Sequence, residues 1–319
     1  MDSTIVRTVL RNGLAKGLRG TVWMLKILLP CSLLTFIIDA GGLLTHVDFL
    51  LAPAMGFLSL PSEAALPLAA GLLAGIYGAV AALAVLDLSL TETILVAVFL
   101  LISHNLVQEG LVQARSGLNF FKATVTRLAA SILTVVILAR LLPAGPDLDS
   151  ETAAAHAAVP FGDLLRGWLW DTGILSLKIF AIITAIMVVM ELLRALRVIP
   201  LVARMLQPLL WLMGLSPRVG VLWLTAAVFG LTYGAAVIVE EARGGHFEKD
   251  EIERLQLSIG INHALIEDPA VFMALGIPPL WLWGPRLLAA LVTVHSHRVW
   301  TGWRLRRRKT LQAKAIIGS

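Results

Sequence analysis

One cysteine, Cys31, rules out an internal disulfide, and its place in an apolar run suits a packing role. Charge is also scarce: 15% of the 319 residues are charged and 58% are hydrophobic. Mean hydropathy is +0.84. A soluble domain of this length cannot hide that much apolar surface, so the composition points to an integral membrane protein. No G-x-x-x-x-G-K-[ST] phosphate loop, G-x-S-x-G elbow or H-E-x-x-H zinc motif occurs, so neither an enzyme nor a cofactor is expected. ATP hydrolysis by this chain is excluded as an energy source on the same ground. The net charge of +5 sits mostly at the two ends. Positive charge beside the cytoplasmic leaflet accounts for it without a nucleic-acid partner.

What is present is a series of apolar segments. They run at Gly20–Ile38, Val47–Leu60, Ala64–Leu86, Thr93–Val112 and Phe121–Leu142, then at Leu169–Met190, Leu201–Leu215, Val219–Val239, Leu255–Leu275 and Leu280–Val299. Each half reads long, short, long, long, long. The short member carries a proline, Pro53 or Pro208, and is marginal for a full crossing, so it is either a tilted span or a re-entrant element. Ahead of the first segment, basic residues alternate with apolar ones at helical spacing. No small-x-small cleavage site comes after them, so residues 1–19 predict an interfacial helix and not a signal peptide.

Landmarks repeat in order. Pro53 precedes "GIYGA" at Gly75 and then "SHNLVQEG" around His104; Pro208 precedes "GLTYGA" at Gly230 and then "NHALIEDP" around His263. Aligning the two histidines pairs Gln108 with Glu267 and Glu109 with Asp268, which argues for an internal duplication. Charge then gives orientation. The N-terminal Arg7, Arg11, Lys16 and Arg19 and the C-terminal "RLRRRK" from Arg304 predict two cytoplasmic ends, whereas the Pro143–Pro160 connector has acids and no Lys or Arg. Arg115, Lys122, Arg127, Arg194, Arg197 and Arg204 fit cytoplasmic loops. Each half then crosses an odd number of times, and the halves are inverted relative to one another.

Polar groups inside apolar segments are expensive and mark function. The candidate substrate-binding residues are His104, Asn105, Gln108, Glu109, Asn262, His263, Glu267, Asp268, Tyr77 and Tyr233. Helical spacing puts Glu267 one turn past His263, and Gln108 one turn past His104. Gly110 and Pro269 are the expected helix breaks. A shared cluster could coordinate a divalent metal through His104, His263, Glu109 and Glu267, bind a polar organic solute, relay protons, or merely hold helices together by hydrogen bonds. The tyrosines sit in small-residue stretches suited to close helix approach. Trp168, Trp170, Trp211, Trp223, Trp281 and Trp283 read as interfacial anchors, and "HFEKDEIER" from His246 reads as a solvated loop.

From Gly20 to Val299, the duplicated Pro segment, Gly-rich span ("GLLAGIYGA", "AAVFGLTYGA") and polar-centred span resemble the nucleoside-recognition, or Gate, domain family. That family includes spore maturation proteins A and B, and it is similar to the membrane part of ferrous iron transporter B. The resemblance implies a polytopic all-α membrane protein with a transport or membrane-assembly role. It carries over no named nucleoside ligand residues, and no GTPase domain supplies energy here.

The expected organisation is an interfacial helix (1–19), a first Gate-like repeat (20–142), an extracytoplasmic connector (143–163), a second repeat (164–300) and a basic cytoplasmic tail (301–319). The expected protein is all-α, with two inverted repeats of about five helical segments each, some short or broken, multi-pass in the inner (plasma) membrane. The expected function is transport of a small polar or charged solute, a divalent metal ion or a nucleoside-like molecule, through a midplane site. The rival readings are a scaffold subunit that assembles with a second copy or a partner membrane protein, and an intramembrane lipid-phosphate enzyme. The enzyme is disfavoured because no nucleophile–base pair and no basic cradle appear at matching depth.

Overall fold

A computed structural model describes residues 3–143, 160–196, 198–243 and 247–317. The chain is 84% helical and the described residues contain no strand. The first half comprises α1 (Ser3–Ala40), α2 (Leu43–Phe57), α3 (Ala65–Ala74), α4 (Ile76–Leu83), α5 (Leu90–Ser103), α6 (Leu106–Arg115) and α7 (Phe120–Ala139). The second comprises α8 (Phe161–Ala195), α9 (Ile199–Met205), α10 (Gln207–Leu212), α11 (Gly220–Phe229), α12 (Leu231–Arg243), α13 (Lys249–Asn262), α14 (Glu267–Met273) and α15 (Pro279–Ile317). A 3-10 turn leads into α3 at Ser62–Ala64, and another leads into α11 at Pro217–Val219.

The helices start where the sequence supplies caps. Ser89 accepts from the Glu92 amide while the Glu92 carboxylate accepts from the Ser89 amide, closing a capping box at the head of α5. Asn119 caps α7 through the Lys122 amide. The N-terminal basic stretch runs into the first apolar segment without a break, as one helix. At about 1.5 Å per residue, the 38 residues of α1 make a rod far longer than the roughly 30 Å hydrocarbon layer. The basic first turns are therefore an extension of the first span. The C-terminal basic stretch likewise continues α15.

Among the described residues, four runs are long and apolar enough to cross a membrane: Val6–Ala40, Leu90–Arg115, Phe120–Ala139 and Phe161–Ala195. A fifth is possible if His46–Phe57 and Ser62–Ala74, bent by 85°, form one span. The later elements of the second half are shorter or more charged. "HFEKDEIER" is not all loop, because α13 begins at Lys249 and its Glu253 meets Lys122 of α7 at 2.6 Å.

The long helices α1 and α8 pack along each other. Gly13 lies against Val188, Gly17 against Thr184 and Gly20 against Ile183; farther along, Ser32 bonds Thr172 at 3.2 Å. Numbers rise on one helix as they fall on the other, so the pair is antiparallel. A Cβ at Gly17 would stand 2.8 Å from the Thr184 Cα, so glycine lets the backbones approach. The tryptophans expected as membrane anchors divide. Trp170 and Trp211 are exposed, but Trp223 is buried and donates to Ser258, Trp168 donates to Ser32, and Trp283 donates to the Leu265 carbonyl. Their ring nitrogens found partners inside the bundle.

Candidate functional site

Two pairs of helices are broken in each half, and the breaks meet. Gly75 separates α3 from α4 at φ 85°, and Gly230 separates α11 from α12 at φ 84°. Both need the left-handed freedom that glycine supplies. The other breaks are His104–Asn105 between α5 and α6, and His263–Ala264 before α14. Each histidine is extended and the next residue is left-handed, Asn105 at φ 47° and Ala264 at φ 44°. The expected breaks are thus displaced. Gly110 is helical, and Pro269 lies in the first turn of α14, where a missing N–H costs little.

The freed backbone groups are satisfied twice in the same way. The Asn105 amide donates to the Gly71 carbonyl at 3.0 Å, and the Ala264 amide to the Ala226 carbonyl at 3.1 Å. At the open C-terminus of α5, Arg127 donates through Nε to the Ile102 carbonyl at 3.0 Å and through Nη2 to the His104 carbonyl at 2.8 Å. At the end of α13, Arg286 donates through Nε to the Ile261 carbonyl and through Nη2 to the His263 carbonyl at 2.5 Å. A cation on the last carbonyls suits the negative end of a helix. Both arginines are buried. Charge patterning alone puts Arg127 in a cytoplasmic loop and no basic group at histidine depth; the structure corrects both points. The signal was available, since Arg127 and Arg286 each come 23 residues after their histidine.

Between the two crossings the imidazoles meet, with Nε2 atoms 3.3 Å apart and both rings buried. Each Nδ1 lies against a carbonyl one turn back, Leu100 at 2.8 Å and Ile259 at 3.0 Å. A carbonyl only accepts, so each Nδ1 carries a proton, and a ring in its neutral form turns its Nε2 lone pair inward. Glu109 Oε1 lies 3.3 Å from His104 Nε2 and 3.1 Å from His263 Nε2. Glu109 Oε2 lies 2.7 Å from Arg127 Nη2, an ion-pair distance without hydrogen-bond alignment. Asp268 Oδ2 lies 3.5 Å from His104 Nε2, is buried, and has no hydrogen-bond partner among the described residues.

The helix break decides which acid arrives. An unbroken helix would have put Gln108 and Glu267 beside the histidines. The extended histidine shifts the register, so the fifth residue on, Glu109 or Asp268, turns back instead. Gln108 is exposed. Glu267 accepts from Tyr77 Oη at 2.6 Å, which ties α14 to α4, and it is Asp268 that joins the histidines. Asn262 is fully buried beside His263 with both amide atoms unpartnered. Asn105 is half-buried against Gly75, where a Cβ would stand 2.6 Å from its amide nitrogen. The Tyr233 side chain lies outside the described residues, as does nearly all of the connector.

The chain is 28% identical over 311 residues to the uncharacterized membrane protein YvoD of Bacillus subtilis (strain 168), covering 94% of this chain and 97% of that protein. No family model matches the chain. No solved structure matches it. The apolar helices and this relative together make the chain a multi-pass membrane protein.

Proposed function

We propose that the protein is a permease-like transporter that moves a small charged solute through the site where the two sets of helix breaks meet. The observation that carries this reading is the convergence of His104, Glu109, His263 and Asp268, two groups from each half, in a chain otherwise poor in charge. Ionisable groups at that depth are costly unless they serve an ion or solute pathway. Broken helices around a shared polar site are a recurrent transporter plan. The contact between the two imidazoles leaves no space for a nucleobase between them, which favours an ion over a nucleoside-like solute.

The halves are read as inverted repeats with both termini cytoplasmic. The antiparallel run of α1 against α8, equivalent members of the two halves, supports the inversion. The basic ends support the orientation. Reporter fusions at Ala155 and Ser319 are expected on opposite sides of the membrane; the same side for both removes the inversion.

Flux in proteoliposomes tests the function. The intact chain is expected to carry a small cation, and His263→Ala to abolish the flux while remaining inserted and monodisperse. An intact chain with no flux for any ion or nucleoside, recovered with a partner membrane protein, replaces transport by the scaffold reading.

A further inference from the structure

We propose that the two crossings form a binding site for one transition-metal dication of the zinc class, held by His104 Nε2, His263 Nε2, Glu109 Oε1 and Asp268. This deepens the permease reading and rests on it for its use in the cell, but metal binding is measured apart from flux.

His104 Nε2, His263 Nε2 and Glu109 Oε1 form a triangle, and with both imidazoles neutral no hydrogen lies among them. The edges are 3.3 Å between the histidine nitrogens, 3.3 Å from His104 to Glu109, and 3.1 Å from His263 to Glu109. Three such atoms repel one another unless a cation sits among them. A tetrahedral ion bonded at about 2.0–2.1 Å to each ligand sets neighbouring ligand atoms about 3.3 Å apart, so the triangle has the edge of one face of that tetrahedron. Asp268 supplies the fourth direction: its unpartnered oxygen is 3.5 Å from His104 Nε2, and it groups with both histidines within 4.8 Å.

The surroundings are built as metal sites are built. Each ligating imidazole has its other ring nitrogen fixed by a carbonyl, at Leu100 and Ile259, which sets tautomer and ring orientation. Arg127 fixes Glu109 from behind through its other oxygen. The charge also leans toward a cation. Three carboxyl groups, those of Glu109, Asp268 and the adjacent Glu267, stand against the two guanidiniums of Arg127 and Arg286. Two imidazoles and two carboxylates suit zinc-class dications; magnesium and calcium prefer sites made wholly of oxygen, with six or more ligands.

A proton is the rival occupant, since one imidazolium could bridge the triangle. Purified full chain stripped with chelator is titrated with Zn²⁺ by calorimetry, and with Co²⁺ by visible absorption. One equivalent is expected to bind, and Co²⁺ to give the intense bands of tetrahedral coordination. His263→Ala and Asp268→Asn are each expected to weaken binding by about 100-fold or more, at least the upper range seen when outer-shell partners are lost. Because His263→Ala could perturb folding, Asp268→Asn, which keeps shape and breaks no hydrogen bond, must show the loss with an unchanged elution profile. Absence of Zn²⁺ and Co²⁺ binding, octahedral Co²⁺ bands, or binding that survives both variants overturns the metal site. Tight binding with no flux keeps the metal site and removes the permease; flux of another solute without metal binding does the reverse.

Discussion

The crossing at His104 and the crossing at His263 share a backbone but not a charge arrangement. In both, a histidine ends a helix, a left-handed residue comes next, and a buried arginine donates to the carbonyls of that histidine and of the residue two before it. Yet Glu109 has Arg127 against it at 2.7 Å, whereas Asp268 Oδ2 is buried without a hydrogen-bond partner. Likewise the space at Gly75 is filled by the Asn105 amide, and no described residue lies within 4 Å of a Cβ at Gly230. The two crossings share the device that makes a break tolerable and differ in the groups that face the site. The first crossing sets its carboxylate against an arginine; the second sets its carboxylate against the histidine of the first.

The largest effect should come from removing the arginines, and it should be unequal. Arg127→Leu strands Glu109 and two carbonyls and is expected to cost about 3–5 kcal/mol, the usual penalty for breaking a buried pair. Arg286→Leu strands two carbonyls and removes a cation near Asp268 but breaks no contact ion pair, and should cost about 2 kcal/mol, in line with lost hydrogen bonds to a charged group. Thermal unfolding in detergent compares them, and equal losses would erase the distinction between the crossings. Next come the acids. Asp268→Asn should leave the melting temperature unchanged and impair ion binding, whereas Glu109→Gln should lower both, because Arg127 then loses its counter-ion. A third comparison uses the glycines. Both glycines pair a positive φ with an extended ψ, so alanine at either costs about 1–3 kcal/mol, but Gly75→Ala should be the more destabilising because its Cβ meets Asn105. Adding Asn105→Ala should bring it level with Gly230→Ala; a persistent gap would mean that Asn105 is not the obstacle. The smallest effect belongs to Gln108→Ala, expected within about 0.5 kcal/mol and with flux unchanged, as for other exposed positions.

Much of this was legible in the sequence. Composition alone gave a helical membrane protein, and the histidine-centred motifs marked residues that the structure brings into contact. The illegible part has its origin in the backbone. Helical periodicity assigned Glu267 to the site, but periodicity holds only within an unbroken helix. The break came at His104 and His263, residues with no strong breaking tendency, because arginines from α7 and α15 and carbonyls from α3 and α11 made the broken form the satisfied one. Those partners are remote in sequence, so local propensity could not announce them. Pro269 misled for the converse reason: it is a strong breaker, but at a helix start it breaks nothing.

The pairing of Glu109 with Arg127 has a consequence for the order in which the chain is made. Synthesis delivers the N-terminal half first, and Glu109 enters the bilayer well over a hundred residues before His263 exists. During that interval its counter-ion must come from its own half, and Arg127, 18 positions later, arrives almost with it. Asp268 enters a membrane where His104 is already waiting. The half that is made first holds its acid against its own arginine, whereas in the later half Arg286, also 18 positions on, donates to the helix-end carbonyls and Asp268 turns to His104.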